Sequence, residues 1–429
     1  MIRSFYHRAI NFLTSLPLMS WVMLGYFITF VLFFIMPVFL NPSLVMQLIK
    51  EVPANAPIGH DFREIVAYSS VWYHTGNAPV IWYPPFTLIF FVPFTFTSYE
   101  TGYKIFIALI IIVYILVTSI LPALMHRSRG ASAFMTLITA TGIISYGLQF
   151  ELERGQWNLI AVGLVMIAIY LFYYQPKYRL AAYLAFSLAV QIKLYPAIFI
   201  LVFVSDWSDW KNNIKRITGL GAVNLLALLV LGLKSIMQNI SALFGLASSQ
   251  ALPIGAGNLS IQSFTAFILS PEVLPRKRIV LWLFQNGWLL QLLLFGFFVF
   301  CLVMIVWQAY KKNICGFNPY IFLACFIGAC VIPSVSFDYK LATLPAAVAV
   351  TVPAILSFTA GRNRVFIILL TLIFSIAYSS MLYSYANKPV ILQNNLPALF
   401  VILAICTILS YIGPNNIDEK LLGALDVQT

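Results

Sequence analysis

The residues that could do chemistry begin with an acidic and aromatic run near position 60. Asp61, Glu64, Tyr68 and Trp72 are separated by three, four and four residues, which on a helix puts them along one face. A carboxylate displayed there beside apolar walls can act as a general base, because partial desolvation makes it more basic. A structural role is the alternative, with Asp61 as a helix N-cap and Glu64 completing a capping box. Both interpretations predict a short helix in this region.

A lysine between two apolar runs is the next candidate. Lys193 follows a largely apolar stretch and precedes another, and a lysine at membrane depth costs roughly 2.5 to 3.5 kcal/mol. It therefore requires an anion, such as a ligand phosphate or a carboxylate, unless its side chain reaches the outer headgroups. Gln156 and Asn158 also point into an apolar run, where they can serve either helix contacts or a ligand.

Other charged and polar groups stand at the ends of apolar runs. An anionic headgroup or a lipid phosphate would explain basic residues on the less basic side of a membrane, although ordinary surface charge is the alternative. Asp338 and Lys340 could instead neutralise one another across a tight turn. The further candidates are Glu153, Arg154, Asn258, Gln262, Arg276, Lys277, Arg278, Asp338, Tyr339 and Lys340.

Several familiar motifs do not occur. The chain has no Gly-rich phosphate loop, GxSxG elbow or HExxH motif, and its four histidines lack metal-ligand spacing. This disfavours a nucleotide-driven pump and a hydrolase triad, and we predict neither a metal nor a cofactor. The five cysteines show no CxxC spacing and are predicted to be small core residues.

The elements that position these residues must be membrane helices. Of 429 residues, 61% are hydrophobic and 9% are charged, whereas soluble proteins have about a quarter charged. The sequence predicts an all-α, polytopic integral membrane protein, with residues 1–429 as a single domain. The net charge of +12 is explained by cytoplasmic anchoring rather than by nucleic acid.

The basic clusters set the predicted topology, because Lys and Arg concentrate in cytoplasmic loops. They give about twelve crossings with both termini cytoplasmic, and a large first extracytoplasmic loop, residues 42–100, carrying short interfacial helices. Within it, the apolar stretch Trp82 to Thr97 is predicted to lie along the outer interface. The anchors are Arg3 and Arg8, Arg127 and Arg129, Lys177 and Arg179, Lys211, Lys215 and Arg216, Lys311 and Lys312, and Arg362 and Arg364. The predicted helices cover about 17–41, 101–124, 131–150, 157–175, 179–192, 195–205, 217–234, 279–307, 319–333, 341–360, 364–382 and 396–412.

An ordered set of short motifs resembles glycosyltransferase family 87, the polyprenol-phosphate-mannose-dependent mannosyltransferases of the membrane-embedded GT-C fold. The motifs span about residues 59 to 262, a little under half of the chain. The C-terminal half of the chain resembles the family only in being helical. In chain order they are Asp61, Tyr83-Pro84-Pro85, Val92-Pro93-Phe94, Gly155-Gln156-Trp157-Asn158, Lys193-Leu194-Tyr195-Pro196 and Asn258-Leu259-Ser260.

This resemblance implies inverting transfer of a sugar, expected to be mannose, from a polyprenyl phosphate to a glycolipid or glycan acceptor outside the cell membrane. Asp61 would be the catalytic base. Lys193, supported by Arg154 and the cluster Arg276, Lys277 and Arg278, would stabilise the phosphate. The expected sugar and acceptor contacts are Tyr83, Glu153, Gln156, Asn158, Tyr195, Asn258, Gln262, Asp338, Tyr339 and Lys340.

The sequence also departs from the family, and a second class of protein remains open. Some relatives carry a histidine in the second-half outer loop, whereas this chain has none after His126 and has Asp338-Tyr339-Lys340 there. The rival is a secondary transporter or a flippase for lipid or polyprenyl-phosphate sugar, favoured by the predicted broken helix pair around Lys193 and Pro196. Against it, the polar groups gather at the outer helix ends rather than at the bilayer midplane.

Overall fold

The computed structural model describes residues 58–126, 129–143, 145–238, 258–269, 287–334 and 336–358, with a few single positions elsewhere. These residues are almost entirely helical, and strand-like pairing among them is limited to two isolated bridges, Asp206 to Cys315 and Asn258 to Phe337. The predicted helices 17–41, 364–382 and 396–412 lie outside the described residues.

The described helices largely follow the predicted order. The α-helices are α1 (His60–Thr75), α2 (Phe86–Phe91), α3 (Tyr99–Ile115), α4 (Leu121–Met125), α5 (Arg129–Ile143), α6 (Tyr146–Arg154), α7 (Asn158–Tyr174), α8 (Arg179–Ile192), α9 (Trp210–Ala227), α10 (Ile261–Ile268), α11 (Gly287–Lys311), α12 (Pro319–Val331) and α13 (Leu344–Phe358). Short 3₁₀ segments occupy Val92–Phe96, Pro176–Tyr178, Tyr195–Val202, Leu228–Leu231 and Asp338–Thr343, and a π-turn, Leu116–Ile120, joins α3 to α4.

The centre of the protein is formed by helices that are apolar on every side. Every residue of α12 is buried, as are most of α7, and a helix without a polar face is stable only when it is covered all round. α7 packs along α8, while α12 packs against α13 and the Tyr195–Val202 segment. This core places the polar ends of α6, α7 and α8 in one region.

Three described helices are long and apolar enough to cross a membrane: Tyr99–Met125, Trp210–Leu231 and Gly287–Lys311. The last two leave most of their surface exposed, which suits helices that face lipid. The pair Gly147–Arg154 and Asn158–Tyr174 passes the same length test only if it counts as one span bent by 113°. The structure thus supports a membrane protein, while the count of twelve crossings stays a prediction.

The predicted single helix 131–150 is wrong. α5 ends at Ile143 and α6 begins at Tyr146, because Ser145 adopts an extended backbone and acts as the N-cap. Its hydroxyl accepts a hydrogen bond from the Leu148 N–H at 3.4 Å, which is the capping contact that serine favours. As a result α6 is a separate short helix that turns sharply into α7.

One other segment is shorter than predicted. The crossing 195–205 is a 3₁₀ helix, Tyr195–Val202, which begins with Pro196 in its first turn. The described part of the first outer loop contains α1, α2 and the Val92–Phe96 segment, so short helices are confirmed there. Their position along the outer interface stays a prediction.

Candidate active site

The first catalytic candidate lies inside a helix rather than at its cap. α1 covers the predicted short helix, but its N-cap is Gly59, at φ 77°, and no side chain caps it. The predicted capping box of Asp61 and Glu64 is therefore wrong. Gly59 donates its N–H to the Glu153 carbonyl at 2.6 Å, which joins the start of α1 to the end of α6.

The Asp61 carboxylate is held by residues at the end of α6. Arg154 donates from Nη2 to Oδ1 at 2.6 Å and from Nε to Oδ2 at 3.1 Å, and Gln156 Nε2 donates to Oδ2 at 2.5 Å. Asp61 is 9% exposed. Since each carboxylate oxygen accepts about two hydrogen bonds, Oδ1 retains room for a substrate hydroxyl while Oδ2 is full.

Gly155 determines where the residues on either side of it point. It has φ +67°, a left-handed conformation that glycine adopts without strain, and it ends α6. A Cβ at this position would stand 2.6 Å from Phe62 Cβ, so only glycine lets the turn approach α1. The turn thereby brings Arg154 and Gln156 to the same carboxylate.

Gln156 joins the carboxylate to a buried ammonium. Lys193 donates from Nζ to Gln156 Oε1 at 2.7 Å, so one amide contacts both Asp61 and Lys193. The ammonium also lies 4.4 Å from the Tyr83 ring centroid and 4.3 Å from that of Trp157, a cation–π arrangement. Lys193 is 6% exposed, and α8 ends immediately before it.

Burial and charge set the protonation preferences of two side chains outside the helices. Desolvation lowers the pKa of Lys193 below the usual lysine range, and the neighbouring Lys340 acts in the same direction. Desolvation raises the pKa of Tyr83, and the charge of Asp61 adds to that effect. Tyr83 therefore keeps its hydroxyl proton, and its oxygen accepts from Gln156 Nε2 at 3.4 Å.

The segment Asp338–Thr343 brings a second buried cation to the region. Lys340 donates from Nζ to the Ala329 carbonyl at 3.2 Å and lies 4.6 Å from the Tyr195 ring centroid. Tyr339 has its ring centroid 6.0 Å from Lys193 Nζ. Tyr195 and Lys340 also line a cavity of about 10 Å³, which has room for about one water molecule.

Asn258 fixes the chain that leads into this segment. Its Oδ1 accepts from the N–H groups of Ser260 at 3.2 Å and Ser336 at 3.0 Å, and its Nδ2 donates to the Ser334 carbonyl at 3.1 Å. Asn258 is buried and engaged with backbone. Its described contacts position the approach to Tyr339 and Lys340.

The structure brings together many of the predicted site residues. Asp61, Tyr83, Arg154, Gln156, Lys193 and Tyr339 form one connected group, with Tyr195 and Lys340 beside it. Asn158 opens α7 and is fully buried, and neither polar atom of its side-chain amide has a hydrogen-bond partner among the described residues. Glu153 meets the group through its backbone carbonyl, Asp338 begins the 3₁₀ segment, and Gln262 lies in α10. Arg276, Lys277 and Arg278 lie outside the described residues.

Two residues near this group were not predicted as part of it. Trp157 is fully buried beneath Lys193 and donates from Nε1 to the Ile192 carbonyl at 3.3 Å. Glu151 is also fully buried, and its Oε1 accepts from the Leu159 N–H at 2.8 Å. The closeness of Glu151 to the turn at Gly155 is the sequence feature that could have identified it. However, an acidic residue next to Glu153 and Arg154 resembles the charged residues of an ordinary exposed loop.

A group of possible metal ligands occurs on α1. His60, Asp61 and Glu64 offer ligand atoms within 4.8 Å of one another. Glu64 Oε1 accepts a hydrogen bond from the Tyr68 hydroxyl at 2.7 Å, and Asp61 is ion-paired with Arg154. Because both carboxylates already have hydrogen-bond or ion-pair partners, they fit a metal site poorly. That the protein binds no metal stays a prediction.

A buried carboxylate joined through an amide to a buried ammonium, in a helical chain with membrane-length apolar helices, defines a membrane protein with an enzyme-like polar site. The family model of glycosyltransferase family 87 matches residues 81–334, more than half of the chain. The chain therefore belongs to glycosyltransferase family 87 and is an enzyme that transfers sugar. The match includes Arg154, Gln156 and Lys193, whereas Asp61 precedes it. No curated protein sequence matches the chain.

Proposed function

We propose that this enzyme transfers a hexose, mannose, from a polyprenyl phosphate to a hydroxyl of a glycolipid or glycan on the extracytoplasmic face. The observation that carries the proposal is the continuous contact from Asp61 through Gln156 to Lys193. It puts a base and a cation one amide apart, as transfer from a sugar phosphate to an alcohol requires. Family membership supports the sugar-transfer chemistry.

Asp61 acts as the general base in this proposal. Its Oδ1 takes the proton of the acceptor hydroxyl while the hydroxyl oxygen attacks the anomeric carbon. The bond from that carbon to the phosphate oxygen breaks with its electron pair, so the polyprenyl phosphate departs as an anion. A single displacement inverts the configuration at the anomeric carbon.

The leaving phosphate is stabilised by positive charge rather than by a proton donor. The buried cations beside the base are Lys193 and Lys340, and Arg154 is paired with Asp61. Because Arg154 balances Asp61, Lys193 and Lys340 are the cations left to stabilise a phosphate. A preorganised cation in a dry site stabilises developing negative charge far more than the same cation in water.

The walls of the site suit a sugar attached to a prenyl chain. The aromatic rings of Tyr83, Tyr195 and Tyr339 surround the two lysines and can pack against a sugar face or the first prenyl units. The unpartnered amide of Asn158 has one donor group and one acceptor for sugar hydroxyls. These groups would bind the hexose of the donor. None of them, among the described residues, favours one acceptor over another.

The test is transfer by purified protein in liposomes that contain radiolabelled polyprenyl-phosphate mannose and a membrane lipid extract. Asp61→Asn should lower the transfer rate by about 10²- to 10⁴-fold, the usual contribution of a general base. The matched control is Glu64→Gln, because Glu64 lies on the same helix but is exposed. The control should keep its activity, and loss of activity in both variants would point to a metal held by α1.

The flippase alternative gives a different result in the same liposomes. No transfer by wild type or variant, together with movement of the labelled lipid between leaflets, would overturn the proposal.

A further inference from the structure

Thr87 is a buried polar residue that the proposed reaction does not use. It lies in α2 and is 0% exposed. Its hydroxyl donates a hydrogen bond to the Ile192 carbonyl at 3.0 Å and lies 3.4 Å from the Gln191 carbonyl oxygen. These are the last two residues of α8, and Lys193 follows them. Thr87 therefore contacts the backbone directly before the buried lysine of the site.

The peptide group between Ile192 and Lys193 is held at both of its polar atoms. Its N–H, which belongs to Lys193, donates to the Ala189 carbonyl at 3.1 Å. Its carbonyl oxygen accepts from Thr87 and also from Trp157 Nε1 at 3.3 Å. Because a peptide group is planar, holding its N–H and its carbonyl oxygen fixes its orientation. The Cα atom of Lys193 belongs to that plane, so the direction in which the lysine side chain leaves the backbone is restricted as well.

The stretch of chain that carries Thr87 contacts the same lysine at its other end. Tyr83 lies four residues before Thr87, and its ring centroid is 4.4 Å from Lys193 Nζ. The Thr87 N–H donates to the Pro84 carbonyl at 2.9 Å, which joins α2 to the residue after Tyr83. One short stretch of chain thus contacts the ammonium through an aromatic ring and the backbone before the lysine through a hydroxyl.

Helix capping is the simpler explanation of the Thr87 hydroxyl. The last carbonyl groups of α8 have no partners within the helix, and a hydroxyl donor satisfies one of them. However, the Ile192 carbonyl already accepts from the indole N–H of Trp157, so it is not left without a partner when Thr87 is absent. What the second donor adds is a fixed direction for the peptide group.

We propose that Thr87 is a positioning residue for sugar transfer, whose hydroxyl holds the Ile192 carbonyl so that the Lys193 ammonium reaches Gln156 and the donor phosphate. This inference rests on the proposed function. Thr87 acts through Lys193 and not by touching the sugar or the phosphate.

The test measures kcat and donor KM for Thr87→Val. Valine has nearly the shape of threonine but has no hydroxyl. We expect kcat/KM for the donor to fall about tenfold, the effect of losing one hydrogen bond to a buried group. Thr87→Ser keeps the hydroxyl and should recover most of the activity.

The matched control is Thr118→Val. Thr118 is also 0% exposed and donates from its hydroxyl to the Tyr114 carbonyl at 2.7 Å, but it belongs to the π-turn between α3 and α4. This variant should keep the wild-type kcat/KM even if its melting temperature falls. Equal kcat/KM for the two valine variants would overturn the inference and leave Thr87 as a helix cap.

A double-mutant cycle with Lys193→Met tests whether Thr87 acts through the lysine. Methionine removes the ammonium, while Lys340 remains as a buried cation, so weak activity is expected. In this background Thr87→Val should lower kcat/KM by less than about twofold, because residues that act together have non-additive effects. The same fractional loss with and without Lys193 would overturn the inference.

Binding of dodecyl phosphate in detergent tests the same contact without sugar transfer. Thr87→Val should bind it about tenfold more weakly than wild type does, and Thr118→Val should bind it as wild type does. If wild type transfers no sugar, the proposed function fails while this comparison still tests Thr87. Equal binding by Thr87→Val and wild type would overturn the inference even if transfer occurred.

Discussion

At the residue scale, the contacts of Arg154 favour a role in holding Asp61 over a role in binding the donor phosphate. Resemblance to the family suggests a phosphate contact, but the Nε and Nη2 edge of the guanidinium makes two hydrogen bonds to the carboxylate. We therefore predict that Arg154→Lys, which keeps the charge and loses the paired geometry, lowers kcat about tenfold with little change in donor KM.

The measurement is initial rate against donor concentration. Arg63→Lys, an exposed substitution on α1, is the control and should behave as wild type. A raised donor KM with unchanged kcat would instead assign Arg154 to the phosphate.

The pH dependence of the reaction should be controlled by Lys193. Burial lowers the pKa of Lys193, so its ammonium is present at low pH and disappears at a lower pH than an exposed lysine would require. Donor binding should therefore weaken as the pH rises, and Lys193→Arg should bind donor with less dependence on pH. Donor KM measured from about pH 6 to pH 9 tests this, and a profile identical to wild type would contradict it.

At the scale of elements, the turn between α6 and α7 determines the site. Gly155 has a positive φ and no space for a Cβ beside Phe62. Gly155→Ala should cost about 1 to 2 kcal/mol in backbone strain and move Arg154 and Gln156 away from Asp61. We predict a lower melting temperature for this variant. We also predict that kcat falls by a larger fraction than the amount of folded protein does.

The matched control for the turn is Gly221→Ala. Gly221 lies in the middle of α9, and a Cβ there would meet nothing within 4 Å. This variant should be as stable as wild type or slightly more so, because alanine favours a helix. Equal activity of the two alanine variants would contradict the importance of the turn.

The elements also show how much the sequence could predict. The apolar stretches that became the span Tyr99–Met125, α7, α8 and α12 were predicted within a few residues, because hydrophobic length is a strong local signal. The break at Ser145 was missed because the apolar pattern continues across it, and only the cap shows where α5 stops.

The site was harder to predict than the helices. Asp61, Gln156 and Lys193 were predicted as candidates from polarity in unusual places, but their joining by one amide depends on the 113° bend after α6. Asn258 was predicted to contact sugar, and its side chain is hydrogen-bonded to the backbone of a segment far along the chain. Three of the five cysteines are buried as predicted, whereas Cys315 is exposed and that prediction was wrong.

At the scale of the whole molecule, the described loops fall into two groups according to their contacts. The predicted outer loops touch one another, through Gly59 and Glu153 and through Asn258 and Ser336. The predicted inner loops also touch one another, since Gly316 donates its N–H to the Ser205 carbonyl at 2.9 Å. Crossings that alternate direction require this segregation, so these contacts agree with the predicted grouping of the loops, while the side on which each group lies stays a prediction.

Membrane sidedness can be tested with a cysteine that the protein already has. Cys315 is exposed and follows the predicted cytoplasmic anchors Lys311 and Lys312. In intact cells a membrane-impermeant maleimide should leave Cys315 unlabelled, and permeabilisation should allow labelling. Cys301, Cys325 and Cys330 are buried and should react slowly in both conditions.

The opposite side needs an introduced cysteine. Glu64→Cys in a Cys315→Ser background puts a thiol at an exposed position of α1, three residues from Asp61. Because the acceptor and the flipped donor are expected outside, this thiol should react in intact cells, and a sugar-transfer assay on the same protein would show that it remains folded. Labelling only after permeabilisation would place Asp61 on the cytoplasmic side, where it could not act on a donor presented at the outer face.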